Sequence, residues 1–341
     1  MAMHYKISHD VELIRNSGWG EYVMQHPDGN FFQLPETFDL FQHVPGYTPS
    51  IIAVIDEASG KVCGVLLSVM QREPKFYGAL TSRSIVWGGP IVDNEHIATL
   101  LLEAYKKSVG PHAIYTQFRN TFDTSKIKSA FLNSNFNYLE HLNFLVHTNV
   151  ENSNTLLSAM SKSKARQIKK ALGTAEIIES DRKEDIDAFY DLLKSLYTEK
   201  VNKPLAPKEF FEYFRTHLVP KGLGKFLLIK HEEKIIGGII CPIFPGKAIY
   251  EWYIAGLDKE YKEQYPSILS TWAAIEEGQK SGLQHFDFLG AGKPDADYGV
   301  REFKAKFGGE LIDFGRYEMI HKPLLMKTGK LGLKFYKFIN S

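Results

Sequence analysis

Cysteine is scarce in this chain, with two residues in 341, Cys63 and Cys241. Two cysteines cannot form a disulfide framework. Both lie in apolar runs, VCGVLLSV and IIGGIICPIF, so they read as buried free thiols of a reducing compartment. Charge of one sign is also lacking. The 41 Lys and Arg residues against 40 Asp and Glu leave a net charge of +1. That excludes a chain built to wrap nucleic acid through a broad basic surface. No apolar run approaches the roughly 18–20 residues that span a bilayer. The stretch MAMHYKISHDVELIRNSG has no apolar core of a secretion signal, so a cytoplasmic protein is expected. The 12 histidines show no metal-ligand spacing, and no metal site is expected. A G-x-S-x-G nucleophile turn is missing, which leaves a hydrolase unsupported.

What is present is an ordinary globular composition, 44% hydrophobic and 24% charged, over a length that suggests two domains. The chain repeats itself at a period of about 170 residues. In the first half SIIAVIDEASGKVCGVLLSVMQR reads as a hairpin turning at Ser59-Gly60, and in the second KFLLIKHEEKIIGGIICPIF does so at Glu232-Glu233. A strand around Trp87 follows one and a strand around Trp252 the other. Each is succeeded by a helix with one apolar face (Ile97, Leu101, Leu102, Tyr105; Ile268, Leu269, Trp272, Ile275) that ends near Gly110 or Gly282. AIYTQF and HFDFLG are the next strands. The last segments align Phe131 with Phe303 and Phe136 with Phe307. The expected fold class is α+β: two tandem domains, each a mixed, mainly antiparallel sheet flanked by helices. Their expected limits are 1–150 and 151–322, joined by the polar VENSNT, with 323–341 a basic C-terminal helix.

Two antiparallel strands followed by strand, helix and strand resemble the core of the GNAT (acyl-CoA N-acyltransferase) fold. A finer resemblance is carried by YPSILSTWAAIEEGQKSGLQHFDFLGAGKPDADYGVREFKAKFGGELIDFGR, with FFQLPETFDLF, WGGPIVD and SKSKARQIKKALG in support. In this order these segments are similar to the Fem peptidyltransferases (FemABX-like), which add amino acids to the peptidoglycan precursor, and to the BioF2-like acetyltransferase domains. The resemblance implies two GNAT-like domains and transfer of an acyl or aminoacyl group to an amine. It implies no tightly bound cofactor and a donor that is either aminoacyl-tRNA or acyl-CoA. The acceptor would be a small-molecule or lipid-linked glycan or peptide of the cell envelope, and tRNA a partner where it is the donor. Two features depart from the pattern. No heptad stretch offers the coiled-coil arm of some Fem members. The place of the GNAT pyrophosphate loop reads DKEYKEQYPSIL, without its glycine pair and with Glu260 and Glu263.

Acyl transfer to an amine needs a proton acceptor, donors for the developing oxyanion and aligned reactants. Lys304 matches the Phe-Lys pair of the family and is the first candidate, with Phe303 packing beside it; a surface lysine is the plain alternative. Asp93, after GGPIV, matches a groove carboxylate of relatives or serves as a helix cap. Asp287 closes a strand before the glycine turn of Gly290 and Gly292, and could line a cleft or cap that turn. Glu251 and Tyr253 lie on the strand that binds substrate in GNAT folds. Strict alternation would put them on one face and Trp252 on the other. In the basic run Lys162, Lys164, Arg166, Lys169 and Lys170, Arg166 and Lys170 share a helical face that would hold a diphosphate or tRNA backbone, or simply face solvent. The tail's Leu324, Leu325, Leu331, Leu333, Phe335 and Phe338, among lysines, fit docking on an anionic membrane or on the protein itself. Three functions remain in view. They are an N-acyl- or aminoacyltransferase acting on a cell-wall or surface-glycan precursor, an acetyl-CoA-dependent N-acetyltransferase of an amino sugar or small amine, and a non-catalytic GNAT-like binding protein.

Overall fold

A computed structural model describes residues 4–72, 82–201, 204–296 and 299–327. Its strands, in chain order, begin with β1 (Tyr5–Ser8), β2 (Tyr47–Asp56), β3 (Val62–Gln71), β4 (Arg83–Trp87), β5 (Ile91–Val92), β6 (Tyr115–Arg119) and β7 (Asn137–Leu139). There follow β8 (Leu142–His147), β9 (Glu176–Glu179), β10 (Gly224–His231), β11 (Lys234–Phe244), β12 (Ala248–Tyr250), β13 (Tyr253–Gly256), β14 (His285–Asp287) and β15 (Glu310–Asp313). The last is β16 (Arg316–Ile320).

The chain divides into two compact units, residues 1–140 with 314–341 and residues 141–313. Each holds one eight-stranded mixed sheet flanked by helices, as the repeat predicts. The order is β1-β2-β3-β4-β6-β16-β7 in the first and β9-β10-β11-β12-β14-β8-β15 in the second, with β5 on β3 and β13 on β11. Element for element the two orders match. Each sheet is antiparallel except at one parallel pair, β4 with β6 and β12 with β14.

The division differs from the limits 1–150 and 151–322 in one respect. Strand β8 follows β7 of the first unit in the chain, yet pairs with β14 and β15 of the second unit. Strand β16, which follows β15, pairs with β6 and β7 of the first. The final strand of each repeat thus completes the other's sheet. VENSNT is no plain linker either, since Asn152 caps a helix at Ser153–Ala159 by accepting from the Asn154 and Thr155 N–H groups. Of the expected C-terminal helix, Pro323 to Lys327 is helical, and the remainder lies outside the described residues.

Burial explains the sequence pattern. Strand β3 is buried from Val62 to Met70 because both of its faces are covered. Ile52, Val54 and Leu66 on one face join Ile97, Leu101, Leu102 and Tyr105 of the helix Glu95–Ser108. The helix Pro35–Gln42 packs against β2. In the second unit the helix Pro266–Lys280 is apolar almost all round and buried from Ile268 to Ile275, which marks it as the central helix of its core. Two adjacent glycines of β11 let helices in on both sides. A Cβ on Gly237 would stand 2.9 Å from Pro266, and one on Gly238 would stand 2.6 Å from Leu228 and 3.0 Å from Phe189. Gly282, at φ 65°, ends that helix in the left-handed conformation, whereas the earlier helix stops at Ser108 and Gly110 instead opens a short 3-10 turn. Both cysteines are buried and free, and burial raises both thiols, Cys63 to about 11.

Candidate active site

In the second unit, β12 and β14 run in parallel for three residues and end together at Tyr250 and Asp287. The chain beyond Tyr250 returns to β11 as β13, while β14 stops. Between β12 and β13 stand Glu251 and Trp252, the one interruption in that edge. The carboxyl ends of a parallel pair that parts in this way form a natural crevice.

Three ionisable groups meet there. The Lys304 ammonium lies 2.8 Å from Glu251 Oε1, and the two side chains are only 9% and 10% exposed. It also donates to the carbonyls of Phe288, at 3.0 Å, and Gly290, at 2.9 Å. A lysine has three N–H bonds, and these three acceptors use them all. The sequence reading made Lys304 a donor to an oxyanion or phosphate. In this geometry it also fixes the loop after β14 and pairs with Glu251. The second Glu251 oxygen, Oε2, has no protein partner among the described residues.

Asp287 is fully buried. Its Oδ1 accepts from Asn143 Nδ2 at 2.7 Å and from the Leu289 N–H at 2.6 Å, while Oδ2 has no partner among the described residues. Burial pushes its carboxyl up to about 6, against the pull of those two hydrogen bonds and the charge of Lys304, and with the push of Glu251. Asn143 escaped the sequence reading. Its amide oxygen also accepts from the Gly290 N–H at 2.7 Å, so that N–H is not free for a ligand. The signal was a lone Asn inside the apolar run LNFLV. Gly290 and Gly292 take φ 136° and 82°, where glycine is favoured.

Tyr253 and Trp252 do not alternate across the edge as expected. Both rings meet Phe210, Trp252 at 4.9 Å and Tyr253 at 5.7 Å between centroids. The interruption at Glu251 and Trp252 resets the alternation, and the two form an aromatic wall with Phe211 and Tyr197 beside the ion pair.

The basic run does lie on a helix, Lys162–Leu172, capped by Ser161. It is not one solvated face. Arg166 and Lys170 are exposed, and Lys170 pairs with Glu263. Lys164 is 3% exposed and lies over Phe303, at 4.2 Å, and Phe307, at 4.8 Å.

Asp93 lies in the first unit. It accepts from the Tyr22 hydroxyl at 2.9 Å, and the cap of the helix Glu95–Ser108 is Asn94, not Asp93. The place matching Glu251 and Trp252 is Gly88-Gly89-Pro90, between β4 and β5. Side chains from elsewhere in the unit fill it. A Cβ on Gly88 would strike Asn30 at 2.5 Å, and one on Gly89 would strike Gln33 at 2.7 Å. Among the described residues no cluster suited to a metal ion occurs, and no helix is long and apolar enough to cross a membrane.

Residues 139–304 match the family described as the acetyltransferase (GNAT) domain. The matched segment runs from the end of the first unit to Lys304, and that part of the chain is GNAT-like. The fold is that of FemX: a solved FemX structure superposes with TM-score 0.71 at 16% identity, covering 95% of this chain and 99% of its own. The C-terminal domain of a putative lysylphosphatidylglycerol synthetase from Agrobacterium fabrum gives 0.57 at 14% identity, covering 91% of each chain. A tandem GNAT protein from the clavulanic acid biosynthesis pathway gives 0.57 at 9%, covering 94% of this chain and 99% of its own. No curated protein matches the chain in sequence.

Proposed function

We propose that the chain is an N-acyltransferase or aminoacyltransferase that moves its group onto an amine of a cell-wall or surface-glycan precursor. The observation that carries this reading is the Glu251–Lys304 pair at the parting of β12 and β14, with one Glu251 oxygen left open. An acceptor amine arrives as an ammonium and must lose a proton before it attacks. Glu251, held in place by its ion pair with Lys304, takes that proton. The amine nitrogen then bonds to the acyl carbonyl carbon, and the bond to the donor's oxygen or sulfur breaks as that atom leaves and is protonated. Phe288 to Gly292 line the crevice floor, held by Lys304, Asn143 and Asp287. Tyr253 and Trp252 offer a flat wall for the transferred group or its carrier.

The likeness to FemX and to a protein named for lysylphosphatidylglycerol supports aminoacyl transfer and a lipid-linked acceptor. The family description as an acetyltransferase supports the second reading, acetyl transfer from acetyl-CoA to an amino sugar or small amine. The first unit, with its matching crevice filled by Asn30 and Gln33, serves as scaffold or acceptor platform, and Asp93 is placed there rather than at the proton transfer. The basic tail is read as a peripheral membrane contact.

The test offers the purified chain acetyl-CoA in one arm and charged tRNA in the other, with amine-bearing envelope precursors, and looks for the N-acylated product by mass spectrometry. Glu251→Gln is expected to slow transfer per folded molecule by about 10²–10⁴-fold, and since it also leaves Lys304 without its counter-charge, thermal melting sets the temperature at which both chains are folded for the comparison. A fully active Glu251→Gln chain would remove the site assignment. Failure of both donors would leave the non-catalytic binding reading.

A further inference from the structure

The loop that follows β14 is held in a conformation that one of its residues does not favour. Leu289 has φ 54°, between Asp287 and the glycines Gly290 and Gly292. Glycine takes positive φ freely, whereas a leucine there is strained by its Cβ. Such a residue stays left-handed where its surroundings over-determine it, and residues of this kind cluster at working sites. The surroundings here are specific. Strand β14 stops at Asp287, and the main chain of β8 holds the loop on either side of Leu289. Phe144 O accepts from the Phe288 N–H at 3.3 Å, and Leu142 O accepts from the Ala291 N–H at 2.6 Å. Between these two bonds, side chains replace the ladder. Asp287 Oδ1 accepts from the Leu289 N–H at 2.6 Å, and Asn143 Oδ1 accepts from the Gly290 N–H at 2.7 Å. Asn143 Nδ2 joins the two by donating to Asp287 Oδ1 at 2.7 Å. Asn143 is 6% exposed, so both ends of its amide are used where water cannot replace a lost partner.

The same turn carries the ion pair. The carbonyls of Phe288 and Gly290, on either side of Leu289, both accept from Lys304 Nζ, at 3.0 Å and 2.9 Å. Lys304 in turn pairs with Glu251 Oε1 at 2.8 Å. The main chain makes a parallel connection, since the Glu251 N–H donates to Asp287 O at 2.9 Å. Glu251 is thus held at its backbone and at its carboxylate by groups that Asn143 braces.

We propose that Asn143 is a positioning residue for acyl transfer: it locks the left-handed turn at Leu289 and, through Asp287 and Lys304, sets where the Glu251 carboxylate stands to receive the amine proton. The proposal rests on the transferase reading for the role of Glu251. Asn143, being buried, acts through the loop and not on a reactant. Its loss misplaces the proton acceptor without removing a binding contact, so it lowers kcat more than it raises KM.

The test compares the full chain with Asn143→Leu and Asn143→Asp, each checked by thermal melting. Asn143→Leu keeps the volume without the hydrogen bonds. It is expected to lower kcat per folded molecule by about 10²-fold, with KM within about threefold of the parent. Asn143→Asp separates positioning from packing. Protonated, it donates to Asp287 Oδ1 and accepts from Gly290 as the amide does; ionised, it sets a second carboxylate against Asp287. The charged groups that act on Asp287, Lys304 and Glu251, are the same in both chains. The rate of Asn143→Asp relative to the parent is therefore expected to approach parity at about pH 5 and to fall toward that of Asn143→Leu by about pH 8, as the two carboxyls lose their shared proton. A second readout needs no turnover. In a heteronuclear NMR spectrum of the lysine ammonium groups, the Lys304 signal, assigned by its absence from Lys304→Arg, is expected to move in Asn143→Leu and in Asn143→Asp at the higher pH. A folded Asn143→Leu chain with the parent kcat overturns the proposal. So does an Asn143→Asp ratio that is flat with pH, or a Lys304 signal that stays in place. If Asn143→Leu does not fold, Asn143→Asp carries both readouts. A parent chain that transfers nothing sinks the transferase reading, and the Lys304 signal then decides by itself whether Asn143 sets the ammonium.

Discussion

The two units share one strand order and differ in what fills the same gap. Where the parallel pair of the second unit ends, Glu251 and Lys304 form an ion pair and Asp287 lies buried beside them. At the matching ends in the first unit stand Trp87 and Arg119. Trp87 stacks on Phe41 at 5.7 Å with an interplanar angle of 1°, and Arg119 covers the Trp87 ring at 5.5 Å. Its gap is filled by Gln33, whose amide donates to Leu67 O and Trp87 O and accepts from Leu67 N–H. The repeat pairs Phe131 with Phe303, which sets Leu132, 47% exposed, against the buried Lys304. One copy fills its gap with the neutral side chains of Asn30 and Gln33. The other carries charge there, and charge in a dry crevice is costly to keep unless it is used.

The comparison breaks first at Lys304. Lys304→Met leaves Glu251 and two carbonyls without their donor, and should cost about 3–5 kcal/mol by denaturant unfolding. A loss within about 0.5 kcal/mol would mean the ion pair is not a strut. Gln33→Leu comes next. It strands three backbone groups in the first unit and should cost about 3–4 kcal/mol, yet leave transfer per folded molecule unchanged. A matching drop in transfer would place chemistry in that unit.

Asp287 gives a smaller, pH-dependent effect. Its native carboxyl is raised to about 6 from 3.8, so between those values the native state holds the proton that the unfolded chain releases. The contribution of Asp287 to stability is therefore greatest below pH 4, falls through pH 4–6 by about 3 kcal/mol, and stays level above. Asp287→Asn should flatten this slope in unfolding curves taken across the range, and an unchanged slope would rule Asp287 out as its source. The smallest effect belongs to Leu132→Ala, whose exposed side chain should matter by no more than about 0.5 kcal/mol. A larger loss would show that the first unit relies on Leu132, its counterpart of Lys304, after all.

Much of this was legible from residues alone. The apolar spacing fixed the central helices, and the duplicated order of hairpin, strand, helix and strand predicted two like sheets. Lys304, Asp287 and Glu251, chosen from separate motifs, do meet in one crevice. These features were readable because periodicity, turn residues and strand ends are local properties of a chain. Four others depend on distant partners and were decided only by the tertiary structure. Strands β8 and β16, each the last of its sequence repeat, complete the sheet of the other repeat, although the chain beside each suggests the nearer one. The interruption at Glu251 turns Trp252 and Tyr253 to the same aromatic neighbour. Lys164 leaves its solvated helix for the rings of Phe303 and Phe307. Asp258 bonds to Ser267 across a loop. A sequence shows which groups are apolar, charged or apt to turn, but pairing and burial are settled by which segments pack together, and that is a property of the whole fold.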